Sequence, residues 1–118
     1  MSGPTARGGR GKTFSAVWRP MRTVVPVDPP HDPTVLDAAS LGAAIRSART
    51  RSRIPLVEAA DAIGVSRQTM INIEKGGAGV GLPTVLKAAR ELGVTLFAVA
   101  ATEREVVRRA ILATRDEA

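Results

Sequence analysis

Glycine and proline residues divide the middle of this chain into short segments, and this division constrains the fold more than any other feature of the sequence. Pro55 and Gly64 bound one segment, Gly76 ends the next, and Gly81 and Gly93 bound a third. These two residue types mark the beginnings and ends of helices and weaken a helix when they lie inside it. The pattern therefore predicts several short helices.

Hydrophobic spacing places helices between these breaks. Leu41, Ile45 and Ala48 recur at intervals of four and three, which makes one apolar stripe on a first helix. Ser66 has a side chain suited to cap a third helix, and Gly81 with Pro83 begins a fourth. The predicted helices span about residues 35–51, 56–63, 67–75 and 82–92, and the capping-box sequence Thr102 to Glu105 opens a last one.

Residues 94–100 differ from the rest of the chain in being short and rich in β-branched and aromatic side chains, which predicts a strand. A single strand in a helical protein leaves its backbone donors and acceptors unpaired. The alternatives are pairing with residues 23–27 and a continuation of helix. We favour pairing with the same strand of a second copy around a two-fold axis. The predicted dimer contacts are Val94, Leu96, Phe97 and Val99.

The N-terminal residues carry most of the net positive charge. Of the formal net charge of +6, residues 1–27 contribute five basic residues and no acidic one. Six of the eight prolines lie within residues 1–33, which predicts a disordered basic arm. The arm has three possible roles: a solvated tail, a DNA contact or a partner-protein contact. Met21 is an alternative first residue of the protein. The predicted division is an arm at 1–33, a domain at 34–93 and a dimerising region at 94–118.

Composition excludes several classes of function. The chain has no cysteine and a single histidine, His31, with no ligand set around it, so no metal site is expected. No paired carboxylates or nucleophile–base arrangement indicates an enzyme. Apolar runs are too short to span a bilayer, and we expect no secretory signal, because no apolar stretch follows the N-terminal basic residues. We expect a cytoplasmic protein with no cofactor and no membrane partner.

Two short helices joined at Gly64 have the spacing of a helix-turn-helix. Apolar side chains, among them Ala60, Met70 and Ile73, would hold the two helices together. The opposite face of the second helix is then exposed, and all of its side chains can donate a hydrogen bond. This polar face consists of Ser66, Arg67, Gln68, Thr69, Asn72 and Lys75.

The runs Leu41 to Arg49, Gly64 to Thr69 and Ile73 to Gly76 resemble the lambda-repressor/Cro-type helix-turn-helix family, also called the xenobiotic-response-element family. The resemblance covers about residues 40–92. Within the family, the HipB-type antitoxins are the nearest likeness, through the loop 77–80 and the predicted strand. The family resemblance implies an all-α, lambda-repressor-like domain of four to five helices, with the C-terminal strand pairing across a dimer.

The resemblance also implies roles for single residues. Gln68 would meet a base edge, Arg67 and Thr69 would reach bases or phosphate, and Ser66, Asn72 and Lys75 would hold phosphates. Arg46 and Arg49 on the first helix are further candidates for phosphate contacts. Glu74 is expected to pair with Arg67 or with an arginine of the first helix.

One departure from the family pattern concerns the start of the second helix. The family carries Thr-Gln there, and the glutamine binds a phosphate, whereas this chain has Pro55 and Leu56. Helix N-terminal amides or the arginines Arg49, Arg51 and Arg53 would have to compensate.

The implied function is a sequence-specific repressor that binds a palindromic operator in double-stranded DNA as a homodimer. We expect it to be the autoregulating antitoxin of a toxin–antitoxin operon, with a kinase-type toxin as partner protein. The alternatives are a free-standing regulator without a toxin and a protein-interaction module that has lost DNA binding.

Overall fold

The computed structural model describes residues 23–117, and this part of the chain forms five α-helices. The helices are α1 (Ala38–Arg51), α2 (Leu56–Ile63), α3 (Arg67–Lys75), α4 (Leu82–Glu91) and α5 (Arg104–Glu117), and a 3₁₀ turn at Ala101–Glu103 precedes the last one. The predicted helical architecture is confirmed, and α2 and α3 have the predicted bounds. The first 22 residues of the predicted arm lie outside the described range.

The helix α1 begins three residues later than its apolar pattern predicts, because Asp37 caps it. The Asp37 carboxylate accepts hydrogen bonds from the Ser40 backbone N–H at 2.8 Å and from the Ser40 hydroxyl at 2.7 Å. An N-cap acceptor of this kind satisfies one of the free amides of the first turn. Both bonds stabilise the charged carboxylate, and they hold the pKa of Asp37 below its ordinary value of 3.8.

The end of α1 has no glycine, although its geometry is one that favours glycine. Arg53 has a φ of 60° and donates its backbone N–H to Thr50, while Ile54 donates to Arg49. These two bonds form a Schellman motif with arginine in the left-handed position. The motif turns the chain so that Pro55 becomes the N-cap of α2.

The hydrophobic core lies between the first four helices. Ile45 of α1 and Met70 of α3 are fully buried at its centre. The remaining core residues include several alanines, which allow helices to approach closely. The buried apolar residues are Leu41, Ile45, Ala59, Ala60, Ile63, Met70, Ile73, Ala88 and Ala89.

The helices α1 and α3 cross at two glycines. A Cβ atom on Gly42 would lie 2.6 Å from the backbone oxygen of Glu74, and one on Gly76 would lie 2.5 Å from the backbone nitrogen of Ala39. Neither distance is possible for real side chains, so the backbones must approach each other without them. This close crossing determines the orientation of α3 on the domain.

The predicted strand at 94–100 is wrong. Residues 23–117 contain no strand, and residues 94–100 run without regular secondary structure between Gly93 and the 3₁₀ turn. A strand requires a ladder of hydrogen bonds to a second segment. The intrachain partner that the sequence offered, residues 23–27, instead bonds to α1, where the Val27 N–H donates to the Thr50 hydroxyl at 3.0 Å.

Residues 24–32, called here the linking segment, connect the helical core to α5. The linking segment contacts the end of α1 through the Val24 carbonyl and the Asp28 carboxylate. Its other end contacts α5, where Arg108 lies 3.3 Å from Asp32 and Arg115 donates to the His31 carbonyl at 3.1 Å. The described part of the predicted arm thus has no helix or strand but is bound to the domain at both ends.

Candidate nucleic-acid interface

The outer face of α3 presents the polar side chains that the sequence predicted. Met70 and Ile73 point into the core, and this fixes which residues of the helix point outward. Arg67, Gln68 and Lys75 are exposed. The complete face, with its exposed and half-buried members, is Ser66, Arg67, Gln68, Thr69, Asn72 and Lys75.

Ser66 and Thr69 form one hydrogen-bonded unit at the start of α3. The Ser66 hydroxyl accepts the Thr69 backbone N–H at 3.0 Å and donates its proton to the Thr69 hydroxyl at 2.9 Å. Ser66 is therefore the N-cap that its position in the sequence predicted. Its own proton is already committed, and the Thr69 hydroxyl proton is the one left to donate outward.

Gln68 and Asn72 form a second unit one turn further along the same face. The Gln68 Nε2 atom donates to the Asn72 Oδ1 atom at 3.1 Å. Residues four apart lie next to each other on a helix surface, so this pairing follows from their spacing. The two amides thereby present a combined set of donors and acceptors to solvent.

Two free cations lie at the two ends of the outer face of α3. Among residues 23–117, the side chains of Arg67 and Lys75 have no ion pair or hydrogen bond. Arg46, on α1, is also exposed and has no such partner in this range. All three charges are free to meet phosphate oxygens or base edges.

Arg49 does not lie on this surface. The prediction that Arg49 contacts a phosphate is corrected, because the residue is buried. Only 8% of the residue is exposed, and its guanidinium pairs with the Glu74 carboxylate at 2.5 Å and 3.1 Å. A third bond, 2.8 Å long, runs to the Ile54 carbonyl. The predicted pairing of Glu74 with an arginine of the first helix is confirmed, and this ion pair links α1 to α3.

The departure at the start of α2 has a structural explanation. Pro55 is the N-cap and makes no side-chain capping bond, and Leu56 packs partly buried against the core. Leu56 therefore contributes apolar area where a polar side chain would face outward. Of the three arginines expected to compensate, Arg49 is buried, Arg51 pairs with Asp28 at 3.1 Å and Arg53 donates to the Val24 carbonyl at 3.3 Å.

Sequence reasoning missed the contribution of Gly42 to this surface. Gly42 lies inside α1, and the close approach at its Cα positions α3. A signal was present, because a glycine inside a helical pattern costs about 1 kcal/mol relative to alanine and so indicates a packing requirement. Which helix makes that contact follows only from the three-dimensional arrangement.

Comparison with protein families gives one match. Residues 45–99 match the family model described as helix-turn-helix. This range contains α2, α3 and α4 and the second half of α1, and the match supports the broad lambda-repressor/Cro type for this segment. The narrower HipB likeness stays a prediction. No curated protein matches the chain.

No helix within residues 23–117 is long and apolar enough to cross a membrane. In the same range, no group of histidine, aspartate and glutamate side chains is arranged to hold a metal ion.

Proposed function

We propose that this helix-turn-helix segment binds double-stranded DNA sequence-specifically, with α3 in the major groove. The observation that carries the proposal is the outer face of α3, which is polar, rich in donors and free of acidic side chains. The major groove admits an α-helix, and its base edges offer a distinct donor and acceptor pattern for each base pair. The close α1–α3 crossing supports the proposal, since a rigid scaffold is needed to position such a face.

Within this proposal, the side chains divide into two classes. Gln68 reads a base edge, since glutamine can bond N6 and N7 of adenine together, and Arg67 favours guanine or a nearby phosphate. Thr69, Lys75 and Arg46 hold phosphates, which sets the register without reading the sequence. Ser66 supports the surface as the N-cap of α3.

The test is binding of the full chain to its own upstream DNA and to unrelated DNA over a series of salt concentrations. We expect a preference for the upstream fragment and a steep loss of affinity with salt. Gln68→Ala should weaken specific binding by about 1–3 kcal/mol and relax one base position, whereas Lys75→Ala should weaken binding evenly and flatten the salt dependence. Arg109→Ala is the control, because it removes one positive charge from α5.

Equal, weak binding of both DNA fragments would contradict the proposal. It would favour the alternative of a protein-interaction module, which is supported by Leu56 standing where the family has a phosphate-binding glutamine. Loss of binding in the Arg109→Ala control to the same degree as in Lys75→Ala would show that only net charge matters.

The repressor would act as a homodimer that covers a promoter. We propose that the apolar surface of residues 94–99 forms the contact between two copies. Phe97 is 78% exposed and Leu96 and Val99 are also exposed. Together with the half-buried Val94 they border a groove of about 580 Å³ that α5 and the linking segment complete. A cluster of exposed apolar side chains beside a groove favours an interaction surface. A two-fold dimer would present two α3 helices to a palindrome.

Sedimentation of the purified protein over a range of concentrations tests the dimer. Phe97→Asp should convert a dimer to a monomer, because a charge replaces a large apolar side chain at the contact. Val57→Asp, which places the same charge on the exposed surface of α2, should leave the dimer intact. A wild-type chain that sediments as a monomer at every concentration would contradict the proposal.

The antitoxin role is a finer proposal that rests on the sequence resemblance alone. It requires a toxin protein of kinase type as a partner. Co-expression with the product of a neighbouring reading frame, followed by co-purification, is the direct test. If no such partner binds, a free-standing regulator is the function that fits.

A further inference from the structure

The hydrogen bond between Gln68 and Asn72 changes the role that the sequence gave to Asn72. The Asn72 Oδ1 atom accepts the Gln68 Nε2 proton at 3.1 Å, and the Asn72 residue is half-buried while Gln68 is exposed. We infer that Asn72 is a positioning residue that orients the Gln68 amide, so that the two side chains read adjacent base pairs as one unit. This inference rests on the proposed function.

The orientation matters because an amide has one donor side and one acceptor side. A free glutamine samples many rotamers, and either side of its amide can face a base. The bond to Asn72 removes part of this freedom before DNA binds, so less entropy is lost in the complex.

The remaining donors and acceptors define what this unit can recognise. Gln68 keeps its Oε1 acceptor and one Nε2 proton, and Asn72 keeps both protons of its Nδ2 atom. An acceptor next to a donor matches N6 and N7 of adenine. Two further donors match an acceptor edge, such as N7 and O6 of guanine or O4 of thymine. The unit therefore selects adenine beside guanine or thymine in the groove.

The anchoring of Asn72 supports the direction of this effect, from Asn72 to Gln68. The Asn72 backbone carbonyl accepts the Gly77 N–H at 2.8 Å in the C-terminal motif of α3. Beyond their mutual bond, neither side chain makes another hydrogen bond within the described residues, but Asn72 is half-buried and its side chain has one rotatable bond fewer, whereas Gln68 is exposed. The shorter, half-buried side chain therefore orients the longer, exposed one.

The experiment is a selection of duplexes from a random library with the wild-type chain, followed by binding measurements on each single-base variant of the selected site. Wild type should prefer adenine at one position by about 5- to 150-fold, the range expected for a bidentate contact. Asn72→Ala should lose this preference and the preference at the adjacent base pair. Gln68→Ala combined with Asn72→Ala should be no worse at the adenine position than either change alone.

Asn72→Asp distinguishes positioning from direct contact. Aspartate retains the acceptor for the Gln68 amide but has no protons for the adjacent base. We therefore expect Asn72→Asp to keep the preference for adenine and to lose only the neighbouring preference. Lys75→Ala is the control, because it should lower affinity for all duplexes without changing either preference.

Two results would overturn the inference in different ways. If Asn72→Ala keeps the full adenine preference of wild type, Asn72 does not position Gln68, and the proposed DNA binding still stands. If the wild-type chain selects no sequence at all, the inference and the proposed function both fail. Circular dichroism of each variant shows whether the helices are retained.

Discussion

Apolar side chains are buried in the helical core of this chain and exposed in its C-terminal region. Between Leu41 and Ala89, the large buried residues of α1 to α3 pack with the alanines of α4 into one cluster. From residue 94 onward, apolar side chains such as Phe97 and Val106 remain exposed, and no residue of the described C-terminal region is fully buried. Helix α5 has no extensive packing against any of the four core helices described.

This difference shows which part of the molecule is complete by itself. Four short helices can bury one face each against the others, so the core needs no further partner. Helix α5 is attached to the core through the linking segment and through residues 94–100. A groove with apolar walls lies between these parts of the chain. The stability of the C-terminal region therefore depends on what covers that groove, as the proposed dimer would.

The largest expected effect concerns the ion pair inside the core. Glu74→Ala should lower the free energy of unfolding by about 3–5 kcal/mol, because it leaves the buried Arg49 guanidinium without its counter-charge. Urea unfolding followed by circular dichroism measures this change. The double variant Arg49→Met with Glu74→Leu is the control and should recover most of the loss, since it removes both charges. If Glu74→Ala is neutral, the pair does not link α1 to α3.

A matched pair of isoleucines tests the comparison directly. Ile45 is fully buried in α1 and Ile111 is half-buried in α5. Ile45→Ala should cost about 2–5 kcal/mol of unfolding free energy. Ile111→Ala should cost less than about 1 kcal/mol in dilute protein. Equal costs at low concentration would show that α5 belongs to the core.

The glycine crossing should give the next effect. A methyl group on Gly42 would collide with the backbone of α3, so Gly42→Ala should destabilise the fold by about 1–3 kcal/mol. Gly77→Ala is the control, because its Cβ would meet no atom closer than 3.4 Å. Thermal unfolding distinguishes the two. Similar melting temperatures for both variants would mean that α1 and α3 can separate without cost.

The smallest expected effect is a dependence of stability on pH from two exposed aspartates. Hydrogen bonds from Thr34, followed by the charge of Arg108, lower the pKa of Asp32, and bonds from Ser40 lower that of Asp37. A lowered folded-state pKa adds stability above the ordinary value of 3.8, and this stability is lost as the pH falls through the folded pKa.

Thermal unfolding measured between neutral pH and strong acid tests these two groups separately. Asp37→Asn should keep the cap of α1 and lose its share of the acid sensitivity, since asparagine also caps helices. Asp32→Asn should weaken the attachment of α5 at neutral pH with little effect on the core. An unchanged acid profile in both variants would show that neither aspartate is responsible.

The bounds of α2 and α3 followed from local signals. Ser66 precedes α3, and Gly64 and Gly76 follow α2 and α3; serine favours the N-terminal end of a helix and glycine the C-terminal end. The start of α1 was misplaced because Val35 and Leu36 extend the apolar pattern beyond Asp37, which is the true cap. The end of α1 carried no glycine at all, since Arg53 adopts the left-handed conformation.

The sequence by itself determined the number and order of the helices and the polar face of α3, because periodicity and capping act over a few residues. Only the tertiary structure decided that Arg49 is buried against Glu74, that Gly42 is a crossing point and that residues 94–100 form no strand in one chain. Each of these depends on which distant segment lies opposite, and α1 meets α3 across some thirty residues of chain. Local patterns carry no information on that distance, so the contacts appear only when the helices are packed.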